Sequence, residues 1–134
     1  IDRFMTSTSR NGIKVLFICH LAAKENKAFN LRDWTARDPS VSFDYAYGFL
    51  VAAASAGFVF LNDDNGVVKI HSLPTIVSDK LLVEVNNRMT KGVRPQEWAA
   101  QIKIIQQFFA LQEIFERNQK TEPIQPAKPA SQSA

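Results

Sequence analysis

The stretch that decides the fold is residues 30–70, NLRDWTARDPSVSFDYAYGFLVAAASAGFVFLNDDNGVVKI. Asn30 is a favourable N-cap for a short helix, and Asp33 stands at the third helical position, as in a capping box. The turn at residues 38–40, Asp-Pro-Ser, ends this helix because proline disfavours helical backbone in the residue before it. The sequence therefore predicts a short helix over residues 30–38.

A longer helix is predicted to follow, beginning at Ser40 or Ser42 and ending at Ala56. Gly57 comes directly after it, where a helix C-terminus favours glycine. Gly48 lies inside the helix and costs up to about 1 kcal/mol relative to alanine. It therefore indicates either a close helix–helix contact or a different helix boundary. The apolar positions of this helix include Phe43, Tyr47, Leu50, Val51 and Ala54.

Two β-rich runs, residues 58–61 and residues 67–70, predict a hairpin. The residues between them are Asn-Asp-Asp-Asn-Gly. The Asn-Gly pair is a strong hairpin signal, here within a longer loop. Both faces of the first run are apolar, so we expect it to be covered on both sides, with the C-terminal helices as candidates.

Helices are also predicted on both sides of this unit. Apolar residues at helical spacing predict a largely buried helix over residues 12–29, capped by Asn11 or Ser9. After the hairpin, a helix is predicted over residues 78–89 and a last one over residues 95–119. The predicted fold class is therefore α+β and mostly helical, with two C-terminal helices added to a helical core and a hairpin.

The last helix carries two apolar stripes. At about 100° per residue, the first stripe consists of Trp98, Ile102, Ile105 and Phe109. The second, roughly 120° away by the same geometry, consists of Ile104, Phe108, Leu111 and Phe115. A helix packed on one core needs only one stripe. The second indicates either contact with another copy or another protein, or a helix laid deep in a groove of its own domain.

Composition and charge limit the function classes. The chain has 134 residues, of which 46% are hydrophobic and 22% charged, as expected for one folded domain. The net charge of +3 permits an anionic partner without requiring one. A single cysteine excludes an internal disulfide framework and is typical of a reducing compartment such as the cytoplasm. No apolar run approaches the roughly 18 residues of a membrane span.

The two ends of the chain are predicted to differ from its middle. Residues 1–11 are expected to be a flexible N-terminus or a cloning remnant, with Met5 as a candidate start, unless the chain is a piece of a longer protein. Residues 12–120 are predicted to form a single domain. Residues 121–134 are rich in Pro, Ser and Ala, which predicts a solvated tail or linker.

No pattern in the sequence predicts catalysis, a metal or a cofactor. Cys19 and His20 are neighbours on a helix, so their side chains diverge by about 100° and cannot act as a nucleophile–base pair. With His71, they have no zinc-ligand spacing. Residues 63–66, Asp-Asp-Asn-Gly, lack the alternating oxygen ligands of a calcium loop. We therefore expect a non-enzymatic protein without metal or cofactor.

The order of helix, short helix, turn, helix and hairpin over residues 12–71 resembles a winged-helix domain. The short helix over residues 30–38, the turn after it, the helix ending at Ala56-Gly57 and the hairpin over residues 58–70 carry this resemblance. The resemblance is one of pattern and covers less than half of the chain. It implies binding of double-stranded DNA, with the third helix in the major groove, the hairpin as the wing and a C-terminal helix for dimerisation.

The resemblance also implies particular binding residues. DNA contacts are expected from Arg32, Arg37, Ser40, Ser42, Tyr45 and Lys69, and dimer contacts from Ile104, Phe108, Leu111 and Phe115. Two features of the sequence oppose DNA binding. The predicted third helix has no Arg, Lys, Asn or Gln, the residues that usually read base edges. Asp63 and Asp64 at the hairpin would also repel phosphate.

Two functions follow as hypotheses. The first is a homodimeric DNA-binding protein, a transcription regulator or a replication or partition factor, located in the cytoplasm or on the nucleoid. The alternative is a winged-helix-like subunit that binds protein and no nucleic acid, with the last helix or the tail as a further contact. This alternative explains the third helix, which lacks basic residues, and the acidic hairpin better.

Overall fold

The computed structural model describes the backbone of residues 2–121 and the side chains of residues 3–113. Its fold is α+β and mostly helical, as predicted. The helices are α1 (Asp2–Ser7), α2 (Arg10–Glu25), α3 (Leu31–Arg37), α4 (Phe43–Ser55), α5 (Thr75–Arg88) and α6 (Pro95–Thr121). The strands are β1 (Ala28–Asn30), β2 (Phe60–Asp64) and β3 (Val67–Ser72).

Three strands form one antiparallel sheet in the order β1-β3-β2. The sequence does not predict β1, because its apolar spacing favours one helix over residues 12–29. Asn26 ends α2 by adopting the left-handed conformation, with φ at 57°. The chain then turns, and Phe29 pairs with Val68 of β3. Phe29 is fully buried, and its apolar side chain belongs to a buried strand and not to the end of a helix.

The predicted Asn30 cap is confirmed, and of the alternatives left open by the sequence Ser9 caps α2 and Ser42 caps α4. The Ser9 hydroxyl accepts a hydrogen bond from the Gly12 N–H at the start of α2. The Asn30 side chain accepts from the Asp33 N–H in α3, and the Ser42 hydroxyl accepts from the Tyr45 N–H in α4. Each side chain satisfies a backbone donor that the first helical turn leaves without a partner.

The hairpin turn is tighter than predicted. Asp64 pairs with Val67, so Asn65 and Gly66 alone connect β2 to β3. Both have positive φ, 53° and 90°, as a two-residue turn of this kind requires. The longer loop expected from the sequence was wrong because Asn62, Asp63 and Asp64 belong to β2.

The side of α4 that faces the core differs from the predicted one. Its buried side chains are Ala46, Leu50 and Ala53, whereas Tyr47 and Val51 are 38% and 50% exposed. Small alanines face the core because α4 packs closely against its neighbours, and larger apolar side chains are left on the outside. Gly48 makes no close contact, since a Cβ there would meet no atom within 4 Å.

The N-terminal segment differs from the flexible end that was expected for residues 1–11. It contains helix α1, whose Met5 side chain is 1% exposed. The guanidinium of Arg88 on α5 donates to the carbonyl oxygens of Met5, Thr6 and Thr8. These carbonyls lie at the C-terminal end of α1, where helical acceptors lack partners and a cation is favourable. Burial and capping together hold α1 on the domain.

Helix α6 packs along β1 through the surface between its two predicted stripes. Phe108 and Phe109 are 4% and 1% exposed, and their rings lie 6.4 and 5.9 Å from the ring of Phe29. Ile104 and Leu111 are 63% and 53% exposed. The prediction that Phe108 faces a second copy was therefore wrong, because this side chain fills the core of its own chain. The Phe115 side chain and residues 122–134 lie outside the described residues.

Candidate functional site

A groove between α4 and the hairpin is the candidate functional site. It exists because α4 directs small residues at the core and leaves larger ones along its outer edge, beside the sheet. The cavity volume is about 260 Å³. It is lined on the helix side by Tyr47, Leu50, Val51, Ala54 and Ser55, and on the sheet side by Leu61, Asp63 and Val68.

The lining of this groove is largely apolar. Val68 is 1% exposed and lies opposite Asp63 on the neighbouring strand, so Val68 forms part of the floor. Val51 on α4 is half exposed at its rim. Asp63 is the one charged residue in this lining. A partner that enters the groove would therefore meet apolar surface first and a carboxylate at one end.

A hydrogen bond closes that end of the groove. The Tyr47 hydroxyl donates to Asp63 Oδ2 over 3.0 Å and so joins α4 to the hairpin. The other carboxylate oxygen of Asp63 accepts from the Gly66 N–H at 3.0 Å. The hydrogen bond to Asp63, and then the negative charge of Asp63, raise the pKa of Tyr47 above its ordinary value of 10. Asp63 thus orders both the turn and the helix contact.

A polar cleft lies on the other side of the Tyr47–Asp63 bridge. It is lined by Arg32, Phe43, Tyr47, Asp63, Asn65 and Gly66. The Arg32 guanidinium lies 3.8 Å from the centre of the Phe43 ring, a cation–π contact. Among the described residues Arg32 makes no salt bridge. Its donors are therefore available to an anionic group on a partner.

The polar side chains predicted to contact DNA have hydrogen-bond partners within the chain. Ser40 and Ser42 precede α4; the Ser40 hydroxyl donates to Asp38, and Ser42 caps the helix. The Tyr45 hydroxyl is hydrogen-bonded to Ser9 at 2.8 Å. Lys69 donates to the Asn26 side chain at the end of α2. Most of these polar groups therefore already have partners inside the chain.

The two predicted arginines also have different surroundings. Arg32 lies beside the hairpin turn, as described above. The Arg37 guanidinium lies 5.2 Å from the centre of the Phe108 ring on α6, at the other end of α3. Both are exposed, and each lies over an aromatic ring. The short helix thus presents one cation to the hairpin and one to the last helix.

Only part of the groove is predictable from the sequence. It placed Tyr47, Leu50, Val51 and Ala54 together on one side of a helix, which is correct, but it assigned that side to the core. The expectation that residues 58–61 are covered on both faces was wrong, since Val59 is 1% exposed but Phe60 is 51% exposed. Of this run only Leu61 lines the groove, and its apolar side chain in a strand was the available sequence signal.

The other chemistry-bearing side chains form no site with the groove. Cys19 is fully buried, and burial raises the pKa of its thiol far above the ordinary value. Burial, and then the charge of Lys24, lower the pKa of His20. Within the described part of the chain, no cluster of three or more His, Cys, Asp or Glu could hold a metal ion. No helix there has the length and hydropathy needed to cross a membrane.

Comparisons with known proteins add no relative. No protein-family model, curated protein sequence or solved structure matches the chain. The groove, its acidic end and the neighbouring cleft are therefore the observations on which a function can be argued.

The Tyr47–Asp63 bridge predicts an alkaline pH dependence of stability. Because the pKa of Tyr47 is raised in the folded state, the protonated phenol stabilises the fold below the unfolded pKa of 10. That contribution is lost as the pH rises through the raised value. Titration of the Tyr47 ring by carbon-detected NMR should give a midpoint above the ordinary one. Asp63→Asn should lower that midpoint; an unchanged value would show that the bridge is absent in solution.

Proposed function

We propose that this chain is a non-enzymatic, winged-helix-type module that binds another protein through the groove between α4 and the hairpin. The observation that carries the proposal is the chemistry of this surface. Tyr47 and Val51 are exposed in its lining, and Asp63 is the one charged residue there. The same two elements, α4 and β2, also expose Asp44, Asp64 and Phe60. Apolar and aromatic groups beside carboxylates suit a protein partner better than phosphate.

The proposal is supported by where these apolar groups lie. Single exposed apolar side chains are ordinary, but a run of them along one groove marks an interaction surface in many proteins. Tyr47 and Val51 are one helical turn apart, and the groove continues to Ala54 and Ser55. The hydrogen bond to Asp63 holds Tyr47 in place, so less side-chain entropy would be lost on binding.

The winged-helix part of the proposal rests on element order. Helix α2, helix α3, a turn, helix α4 and the β2–β3 hairpin occur in this order over residues 10–72, with the short strand β1 between α2 and α3. Apart from β1, this is the order that resembles a winged-helix domain. In that arrangement α4 and the hairpin form one continuous surface. The proposed module uses this surface for a protein partner. A cytoplasmic location belongs to the same proposal, because the chain has one cysteine, and it is buried.

Partner capture tests the main proposal. Immobilised parent protein and its Val51→Lys variant are incubated with lysate of the source cells, and bound proteins are compared. Val51 is half exposed on α4, so the variant should fold normally but place a cation in the apolar groove. We expect a partner that the parent captures and Val51→Lys loses. Val83→Lys, at a similarly exposed position on α5, is the control and should retain it.

DNA binding by a homodimer is the second candidate function. Arg32 favours it, because this exposed guanidinium has no salt bridge among the described residues and lies beside Asn65 and Gly66 of the turn. Ser40, Ser42 and Tyr45 at the start of α4 would then contact the backbone or bases, with Arg37 and Lys69 as further cations. Exposed Ile104 and Leu111 on α6 would supply the contact between copies.

Salt dependence separates the two functions. Phosphate contacts release counterions, so DNA binding should weaken by orders of magnitude between about 50 and 200 mM salt. Replacing Arg32 and Arg37 by alanine should then lower affinity on all sequences alike. Binding is measured by fluorescence anisotropy with mixed-sequence duplexes, and thermal unfolding checks that the variant is folded. No binding at the lowest salt would exclude this candidate and leave the protein-binding proposal intact.

A further inference from the structure

The edge of the sheet that borders the groove has no strand beside it among the described residues. β2 is the last strand in the order β1-β3-β2. Four of its five residues are exposed, and Leu61 is the one that is half-buried. The opposite edge, β1, is packed against α6. The sheet thus offers one row of backbone donors and acceptors to solvent, directly next to an apolar groove.

An open edge beside a helix is a geometry that accepts an added strand. An extended segment paired with β2 would direct alternate side chains to the same face as Leu61 and Asp63. Leu61 and Asp63 line the groove together with Val51 and Ala54 of α4. The cavity of about 260 Å³ is smaller than sites for drug-sized ligands, so it suits one or two side chains of a chain lying across it.

The charges on β2 indicate which kind of partner strand would bind. Asp63 and Asp64 are exposed at the end of the strand, and no basic residue lines the groove within the part of the chain that the structure describes. Acidic side chains on an edge strand oppose pairing with the same strand of a second copy, because the carboxylates of the two copies would lie close together and repel each other. The same groups attract lysine or arginine on a partner strand. A second copy pairing through β2 is therefore disfavoured, and a basic partner is favoured.

We propose that β2 pairs with an extended segment of a partner protein in which apolar residues alternate with lysine or arginine. This inference rests on the proposed protein-binding function and specifies how the groove is used. The backbone of the segment bonds to β2, its apolar side chains enter the groove against Val51 and Leu61, and its basic side chains lie on the opposite face, beside Asp64. The alternation follows from the two faces of a strand.

A peptide titration tests this mode of binding. The probe is an acetylated, amidated KVKVKV peptide, added to ¹⁵N-labelled protein while amide resonances are followed by NMR. We expect saturable shifts confined to residues 60–64 and the facing side of α4, with contacts between peptide and β2 amides. A KVKVKV peptide methylated at its backbone nitrogens should bind at least about tenfold more weakly, since it cannot donate to β2.

Charge and surface controls complete the experiment. An EVEVEV peptide should not bind, and Asp64→Asn should weaken KVKVKV several-fold, more at low salt than at high salt. Val51→Lys should abolish binding and Val83→Lys should not. Equal binding of the methylated peptide, equal binding of EVEVEV, or no shift at all would each overturn strand addition. Partner capture that is lost in Val51→Lys would still support the protein-binding function, so failure of one is distinguishable from failure of the other.

Discussion

Phe109→Ala is expected to destabilise the protein by about 3–5 kcal/mol, the usual cost of truncating a buried phenylalanine. Phe109 is 1% exposed, and its ring lies 5.9 Å from the Phe29 ring and 6.0 Å from the Phe108 ring. Alanine would leave a cavity where α6 meets β1, and a rigid sheet edge cannot collapse into it. Since the free energy of unfolding of small domains is only about 5–15 kcal/mol, this variant would lose much of its stability.

Chemical denaturation with fluorescence or circular dichroism detection measures this loss. The matched control is Ile104→Ala on the same helix, where the side chain is 63% exposed and the expected change is within about 0.5 kcal/mol. If both variants lose the same free energy of unfolding, α6 is not packed as described. Phe108→Glu should behave like Phe109→Ala or worse, because it buries a carboxylate in the same core. It therefore cannot serve as a test of dimerisation.

Gln112→Leu is expected to destabilise the protein by about 1–3 kcal/mol, although leucine is more hydrophobic than glutamine. Gln112 is 8% exposed, and its Oε1 accepts a hydrogen bond from the Asn30 N–H at 3.0 Å. Its amide nitrogen donates to Asp33 Oδ2 at 3.2 Å. Leucine would fill the space but leave the Asn30 N–H without an acceptor at the junction of β1 and α3.

Thermal or denaturant unfolding tests this effect, with Gln106→Leu as the control. Gln106 lies on the same helix and donates to Glu25, but at the surface, so its replacement should cost little. Amide hydrogen exchange should also show faster exchange at Asn30 in Gln112→Leu than in Gln106→Leu. Equal stability of the two variants would mean that α6 is held by its apolar contacts alone.

These two residues illustrate what periodicity could and could not predict. The core-facing side of α6 consists of the half-buried Ile105 and the buried Phe108, Phe109 and Gln112, at helical spacing. The sequence places Gln112 between two apolar stripes, and a polar residue there argues against a buried surface. Its partners are a backbone N–H of β1 and a carboxylate of α3, distant in sequence. Sequence periodicity cannot reveal such partners, because only the packed structure brings them within reach.

The helix caps and turns were determined by the sequence alone. The caps Ser9, Asn30 and Ser42, the helix end at Gly57 and the Asn65-Gly66 hairpin follow from interactions within a few residues. Such features depend on φ values and on side chains that bond to their own backbone, so they are already present in the chain without its neighbours. The class, α+β and mostly helical, follows from them.

The tertiary structure decided which apolar side chains are core and which are surface. Tyr47 and Val51 share a helix with Leu50, and sequence periodicity alone cannot tell which of two adjacent apolar arcs turns inward. Packing against α2 and α3 settled it, because alanine at Ala46 and Ala53 permits close approach and larger side chains do not. The groove beside β2 therefore arises from the packing of α4 on its neighbours. That packing depends on residues distant in sequence, so local sequence patterns cannot predict it.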